Sequence, residues 1–322
     1  MHFSIITPVY NRPQEVDELL DTLQHQTFKD FEVLIIEDGS TIPSDKIVEA
    51  YRDRLNIRYF FKQKEGPSAG RNFGFEQAAG DYFILFDSDL LVPPDYFAKV
   101  VAALEKNHWD CFGGPDRAHD SFTDFQKAVN YSMTSPLTTG GIRGEKKHVG
   151  QFHPRSFNLG LSRQVYNKVG GFIDMHPGED IDFSIRIIKA GFKVGLIADA
   201  FVYHKRRTSI KKFYRQVYKF GYKRIEIAQL HPTELKLTHF FPTAFSLYMT
   251  FAVAVGVYSP MLGLMVGAPL LLYLLIIAAD STIYNKSLKV GLMSVFATLI
   301  QMFGYGYGLA EAIVRRLMLK QQ

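Results

Sequence analysis

Two aspartates one residue apart, Asp87-Ser88-Asp89, follow directly on the apolar run Tyr82–Phe86. At that spacing both carboxylates reach a single ligand. Together they suit a hard divalent cation, Mg2+ or Mn2+, whose remaining ligands would be phosphate oxygens. Such a cation would neutralise a diphosphate leaving group as the bond to it breaks. The competing reading is an acidic turn or helix cap ahead of Pro93-Pro94.

The elements that must hold this pair are legible as an alternation of strands and helices. Phe3–Ile6 ends at Thr7-Pro8, and Val16, Leu19, Leu20 and Leu23 then fall at helical spacing. Phe31–Ile36 is a nearly all-apolar run, as in a strand covered on both faces, and it ends in Glu37-Asp38-Gly39-Ser40. Ile57–Phe61 and Tyr82–Phe86 make a third and a fourth strand. The pattern predicts an α/β fold with a mostly parallel sheet flanked by helices. Thr7, Asp38 and Asp87 each lie just past a strand end, where the ligands of open α/β sheets bind. Further on, residues 114–150 mix Gly, Pro, His and charge without periodicity and read as a loop-rich acceptor region. Phe157–Leu161 is a candidate strand and Asp180–Ile188 a helix, with closing strands at Lys193–Ile197 and Ala200–Tyr203.

Thr7-Pro8-Val9-Tyr10-Asn11-Arg12, Glu37-Asp38-Gly39-Ser40 and Gly66-Pro67-Ser68-Ala69-Gly70-Arg71-Asn72 precede Asp87 in that order. This succession resembles the inverting family 2 glycosyltransferases of GT-A fold, over roughly residues 1–207. The resemblance implies that Thr7, Pro8 and Tyr10 line the nucleotide base and that Asp38 hydrogen-bonds base or ribose. It places Arg71 near the nucleotide, Asp87 near ribose or metal, and Asp89 on the metal. Gly178-Glu179-Asp180-Ile181-Asp182 is similar to the family's Glu-Asp segment. By that likeness Asp180 is the base that deprotonates the acceptor hydroxyl, and Glu179 contacts the acceptor. Asp182 serves as a helix N-terminal charge or a further acceptor contact. His204, after the apolar Phe201–Tyr203, occupies the place of a histidine that completes the metal site in several GT-A enzymes. Asn158 and Gly160, in Phe157–Ser162, resemble the segment beneath the acceptor, as does Val169-Gly170-Gly171-Phe172. No Gly-x-Gly-x-x-Gly follows the first strand, which disfavours a dinucleotide-binding enzyme.

Charge is partitioned along the chain. Residues 1–204 hold 22 Lys+Arg against 28 Asp+Glu, residues 205–237 hold 10 against 2, and residues 238–322 hold 5 against 2. The net charge of +5 therefore originates in one short stretch. There Phe213, Val217, Phe220 and Ile227 recur at helical spacing among lysines and arginines. This predicts a basic amphipathic segment over 208–237 that lies on anionic lipid rather than on nucleic acid. From Phe240 to Ala279 forty consecutive residues carry no Asp, Glu, Lys, Arg or His, and Val290–Ala310 adds twenty-one uncharged residues. Two or three membrane helices are expected in 238–322, at about 242–259, 261–279 and 290–310. The Ser259-Pro260 turn lacks Lys and Arg while both flanks of the hairpin have them, so the turn faces outward. The third segment is ambiguous: it has Lys286 and Lys289 before it, Arg315, Arg316 and Lys320 after it, and Gly304-Tyr305-Gly306-Tyr307-Gly308 weakening it as a helix.

One cysteine, Cys111, excludes an internal disulfide framework and a cysteine zinc cluster. No basic residue or cleavage pattern frames Phe3–Val9 as a signal peptide, so the acidic N-terminal part is expected in the cytoplasm, at a bacterial-type inner membrane. The resemblance then implies transfer of a sugar from a nucleotide-sugar donor to a lipid-linked or glycan acceptor, as in cell-envelope polysaccharide synthesis. A processive polysaccharide synthase is the rival. Gln216-Val217-Tyr218-Lys219-Phe220 only loosely matches the Gln-x-x-Arg-Trp motif of those enzymes, with Lys for Arg and Phe for Trp. A catalytically inactive membrane scaffold is the other rival, and intact Asp87, Asp89 and Asp180 argue against it. The oligomeric state is not encoded in any of these features.

Overall fold

The computed structural model describes residues 1–139 and 151–319. In order, the first half contains β1 (Phe3–Val9), α1 (Pro13–Gln24), β2 (Phe31–Asp38), α2 (Asp45–Glu49), β3 (Ile57–Lys62) and α3 (Pro67–Gln77). There follow β4 (Tyr82–Phe86), β5 (Leu90–Leu91), α4 (Tyr96–Asn107), β6 (Cys111–Gly113), β7 (Asp116–Arg117), α5 (Asp124–Thr134) and α6 (Pro136–Thr139). The second half contains β8 (Asn158–Ser162), α7 (Arg163–Val169), α8 (Glu179–Lys189), β9 (Val194–Leu196) and β10 (Val202–His204). It closes with α9 (Ile210–Leu230), α10 (Phe241–Tyr258), α11 (Pro260–Asn285) and α12 (Leu288–Leu319).

The chain forms two compact units, Met1–Arg117 with Ile142–Lys205, and Ala118–Gly141 with Arg206–Gln322. The first carries a seven-stranded sheet of order β3-β2-β1-β4-β8-β6-β9. β1 pairs in parallel with β2 and β4, β2 with β3, and β6 with β9, while β8 runs antiparallel between β4 and β6. Alternate residues of β1 and β2 enter opposite cores: Phe3, Ile5, Val33 and Ile35 on one face, Ile6, Leu34 and Ile36 on the other. Burial on both faces is why Phe31–Ile36 reads as a continuous apolar run. A second sheet, β5-β10-β7, is built from two- and three-residue strands too short to show any periodicity.

In the second unit the structure departs from the sequence reading. The stretch read as loop contains α5, which begins with a complete capping box between Thr123 and Gln126. That motif was the available signal. By compactness this helix groups with the C-terminal part of the chain. The 140–150 portion of the expected acceptor region, with His148, lies outside the described residues.

The apolar face of α9 is not left for lipid. Phe213 and Val217 pack with Ala128, Val129 and Met133 of α5 and with Val290 and Ala297 of α12. Gly304, Gly306 and Gly308 do not interrupt α12. They are the points where neighbouring helices approach it. A Cβ on Gly304 would lie 2.6 Å from Val217, one on Gly308 2.2 Å from the Tyr218 carbonyl oxygen, and one on Gly306 2.8 Å from that of Pro242. The helix-propensity cost of glycine is outweighed by close backbone packing. Among the described residues three helices, Leu237–Tyr258, Pro260–Asn285 and Leu288–Met318, are long and apolar enough to cross a membrane.

Candidate functional site

The turn after β4 carries Asp87 and Asp89, and β10 brings His204 to them. β10 is antiparallel to β5, with His204 opposite Leu90, and the Lys205 amide donates to the Asp89 carbonyl at 3.0 Å. One ligand atom each from Asp87, Asp89 and His204 lie within 4.8 Å of one another. His204 Nε2 is 3.3 Å from Asp89 Oδ1, and its Nδ1 is 3.4 Å from Asp116 Oδ2. Arg12 donates to Asp89 Oδ2 at 2.5 Å. Burial alone would raise the Asp89 carboxyl, but His204 and Arg12 outweigh it and hold the group well below the usual carboxylate range. Two carboxylates and an imidazole form a donor set that fits Mn2+ or Mg2+. Arg12 and Asp116 received no role from the sequence. Arg12 stood inside a recognised motif, whereas Asp116 acquires meaning only when β7 pairs with β10 and brings it beside His204.

The strand ends of β1 and β2 form the neighbouring wall. Thr7 is buried within β1, and Pro8 backs onto α3, where a Cβ on Gly70 would be 3.1 Å from it. Tyr10 is exposed, with the Lys64 ammonium 3.7 Å above its ring. Asp38 is buried and accepts from the Glu65 and Gly66 amides at 2.8 and 2.9 Å. Its carboxylate thus shapes the loop that opens α3, where Gly66 has φ +96°, a conformation that favours glycine. Each oxygen keeps a further lone pair for a base or ribose donor.

Arg71, on the first turns of α3, is buried. Its guanidinium donates to Asp87 at 2.8 Å and to Glu179 at 3.3 Å, with Phe172 5.5 Å away. Burial works against its charge, but Asp87 and Glu179 outweigh this and raise its pKa. One fork therefore joins the carboxylate at the end of β4 to the N-terminus of α8. Glu179 also meets His176 Nδ1 at 3.0 Å. Asp180, the next residue, is partly exposed; its Oδ1 accepts from the Ile181 amide at 2.8 Å and lies 3.7 Å from Arg155.

Three expected acceptor contacts are instead engaged in the core. Asn158 is fully buried; its Oδ1 accepts from the Tyr96 hydroxyl at 2.5 Å and its amide donates to the Ala200 carbonyl at 3.0 Å. Gly160 is the floor on which the Phe112 ring rests, 2.1 Å from where a Cβ would be. Asp182 is buried against Arg186 at 2.8 Å, and that guanidinium also holds the carbonyls of Val169 and Gly171. These residues build the fold around the site and offer no free group to an acceptor.

Sheet order, the Asp87-Asp89-His204 cluster and the Glu179-Asp180 helix end together describe a GT-A-type nucleotide-sugar fold. The model of glycosyl transferase family 2 matches residues 4–170, and the chain belongs to that family. An uncharacterized glycosyltransferase of Rickettsia conorii is 39% identical over 141 residues, 43% of this chain and 22% of that protein. TarS of Staphylococcus aureus, a poly(ribitol-phosphate) beta-N-acetylglucosaminyltransferase, is 34% identical over 114 residues, 34% of this chain and 20% of that one. The matched stretches span about a fifth of these curated relatives' length. Among solved structures, the mannosyltransferase PcManGT from Pyrobaculum calidifontis, in complex with GDP-Man and Mn2+, shares the fold. Its TM-score is 0.65 at 17% identity, covering 92% of this chain and 86% of that one.

Proposed function

We propose that the protein is a membrane-anchored, metal-assisted, inverting glycosyltransferase that moves a sugar from a nucleotide-sugar donor to a lipid-linked or glycan hydroxyl. The observation that carries this reading is the Arg71 fork, which ties the Asp87 side of the site to the helix end bearing Asp180. Membership of family 2 and a fold relative that holds GDP-Man with Mn2+ support it. Asp87, Asp89 and His204 would hold a divalent cation, which when bound neutralises the donor diphosphate.

In this scheme Asp38, Pro8 and Tyr10 bind the nucleoside, and Arg71 keeps Asp87 and Glu179 in register. The acceptor oxygen attacks the anomeric carbon from the face opposite the leaving group. The bond from that carbon to the diphosphate breaks, with its electron pair departing on the nucleoside diphosphate, and Asp180 takes the acceptor proton. A single displacement of this kind inverts the anomeric configuration. The helices of 238–322 anchor the chain, and the positive-inside rule sets the catalytic unit on the cytoplasmic face.

Asp180→Asn tests the base. Transfer should fall by roughly 10²–10⁴-fold, while thermal protection by a nucleotide sugar with Mn2+, screened across a donor panel, is retained. Turnover equal to that of the parent protein would remove Asp180 from the role. Loss of donor protection would instead point to a binding function.

A further inference from the structure

The third apolar helix has an environment unlike that of the other two. α10 and α11 pair with each other along their length: Gly256 meets Gly263, the Tyr248 hydroxyl reaches the Val266 carbonyl at 2.8 Å, and Phe245 meets Tyr273. α12 joins this hairpin at its two roots. At the end of α11, Ser281 bonds Ser294 at 2.7 Å. At the start of α10, Ser246 and Thr243 reach the carbonyls of Met302 and Gly306 at 3.3 and 3.1 Å. The rise from Ser294 to Met302 is about 12 Å, close to the roughly 8–10 Å between packed helix axes. α12 therefore steps across the base of the hairpin from one helix to the other.

Its remaining neighbour is decisive. Val217, Gly221 and Ile225 of α9 meet Gly304, Tyr305 and Leu309 in ascending order, so the two helices run parallel and in contact. On the outer side of α9, Lys211, Lys212, Arg215 and Lys219 are exposed. A crossing α12 would carry Arg215 and Lys219 to hydrocarbon depth with their side chains uncovered, where isolated cations are strongly disfavoured. Both ends of α12 are basic as well, with Lys286 and Lys289 before the apolar stretch and Arg315 and Arg316 after it. Cations on both sides of a segment fit a helix whose ends share one face of the membrane.

We infer that α12 lies in the plane of the membrane surface, and that only α10 and α11 cross. Leu288, Leu292, Phe296, Tyr307 and Val314 form its exposed stripe and face the acyl boundary of the bilayer. The cations of α9 take the adjacent headgroups. The occupant of this face is the lipid surface, because the stripe is continuous with the hairpin roots and bordered by positive charge. The inference rests on the membrane anchoring proposed above and is independent of the transfer reaction.

Single cysteines in the full chain test it, since the native Cys111 is buried. Asp53→Cys, Tyr258→Cys and Arg315→Cys in sealed vesicles are treated with a membrane-impermeant maleimide from either side. Arg315→Cys should react from the same side as Asp53→Cys, and Tyr258→Cys from the other. Reaction of Arg315→Cys from the Tyr258 side would overturn the in-plane helix and leave the anchoring intact. If Tyr258→Cys shares the side of Asp53→Cys, the anchoring itself fails. Spin labels at Leu292, Phe296 and Tyr307 provide a second reading: equal shallow depths support the in-plane helix, and a steady change in depth overturns it.

Discussion

His204 stands between two carboxylates, and Asp116 decides how the imidazole presents itself. With the Asp116 carboxylate 3.4 Å from Nδ1, a metal-bound neutral His204 would keep its proton on that nitrogen and leave the Nε2 lone pair for a cation beside Asp89 and Asp87. Such outer partners are typically worth about 10–100-fold in metal affinity. Asp116→Ala should weaken Mn2+ binding, followed by the EPR signal of the free ion, within that range. Asp116→Asn, which keeps an amide oxygen able to face Nδ1, should lose less; equal losses would mean that the carboxylate acts through its charge. This arrangement was not legible in the sequence, where Asp116 is one acidic residue after Gly113-Gly114-Pro115. Asp87, Asp89 and His204 were legible because each follows a recognisable apolar run. Asn158 was not legible as a core residue: its type suits a binding site, but its engagement depends on Tyr96 and Ala200, remote in sequence, whereas Asp182 takes the place expected of it as a charge in the first turn of α8.

Among the elements, the parallel strands were the readable ones, because burial on both faces leaves an apolar run. One position breaks that run. Glu32 in β2 is buried, accepting from Ser4 at 2.7 Å and the Ala79 amide at 2.6 Å, with Arg58 3.3 Å away. It ties β1, β3 and the residues after α3 to β2. Burial pushes the Glu32 carboxyl up, but these donors outweigh burial and hold it below its ordinary value. The folded pKa is thus depressed, so its stabilisation is complete above the unfolded value of about 4.3 and is lost as pH falls through the folded value. Glu32→Ala should destabilise the catalytic unit by about 1–3 kcal/mol at neutral pH and flatten its stability profile below about pH 4.3. Thermal unfolding at several pH values checks both. The small β5-β10-β7 sheet, on which the cluster depends, was not readable, since two-residue strands leave no pattern.

For the whole molecule, the notable departure from the sequence reading is that a basic amphipathic helix spends its apolar face on protein. Composition reports how amphipathic α9 is but not what covers it, and α5, hidden in an aperiodic stretch, was part of the cover. The glycine seam of α12 is the sensitive point. Gly308→Val places carbon where the Tyr218 carbonyl oxygen lies, and overpacking of this kind costs typically about 1–3 kcal/mol. The variant should melt earlier and, by loosening α9, let trypsin cleave at its lysines and arginines, which the folded helix protects by its backbone conformation. Gly267→Val, at a position with nothing within 4 Å, should leave the tryptic pattern unchanged.

The same seam sets a timetable for biogenesis. α12 leaves the ribosome after α9, so α9 emerges before the share of its cover that Val290, Ala297 and Leu309 supply has been made. Until then the nascent chain displays a partly covered cationic, greasy helix just ahead of the apolar α10–α11 hairpin. In the anchoring proposed above, insertion would proceed with α9 not yet paired to α12, and any message truncated before Gly304 yields a protein that cannot close its own second unit.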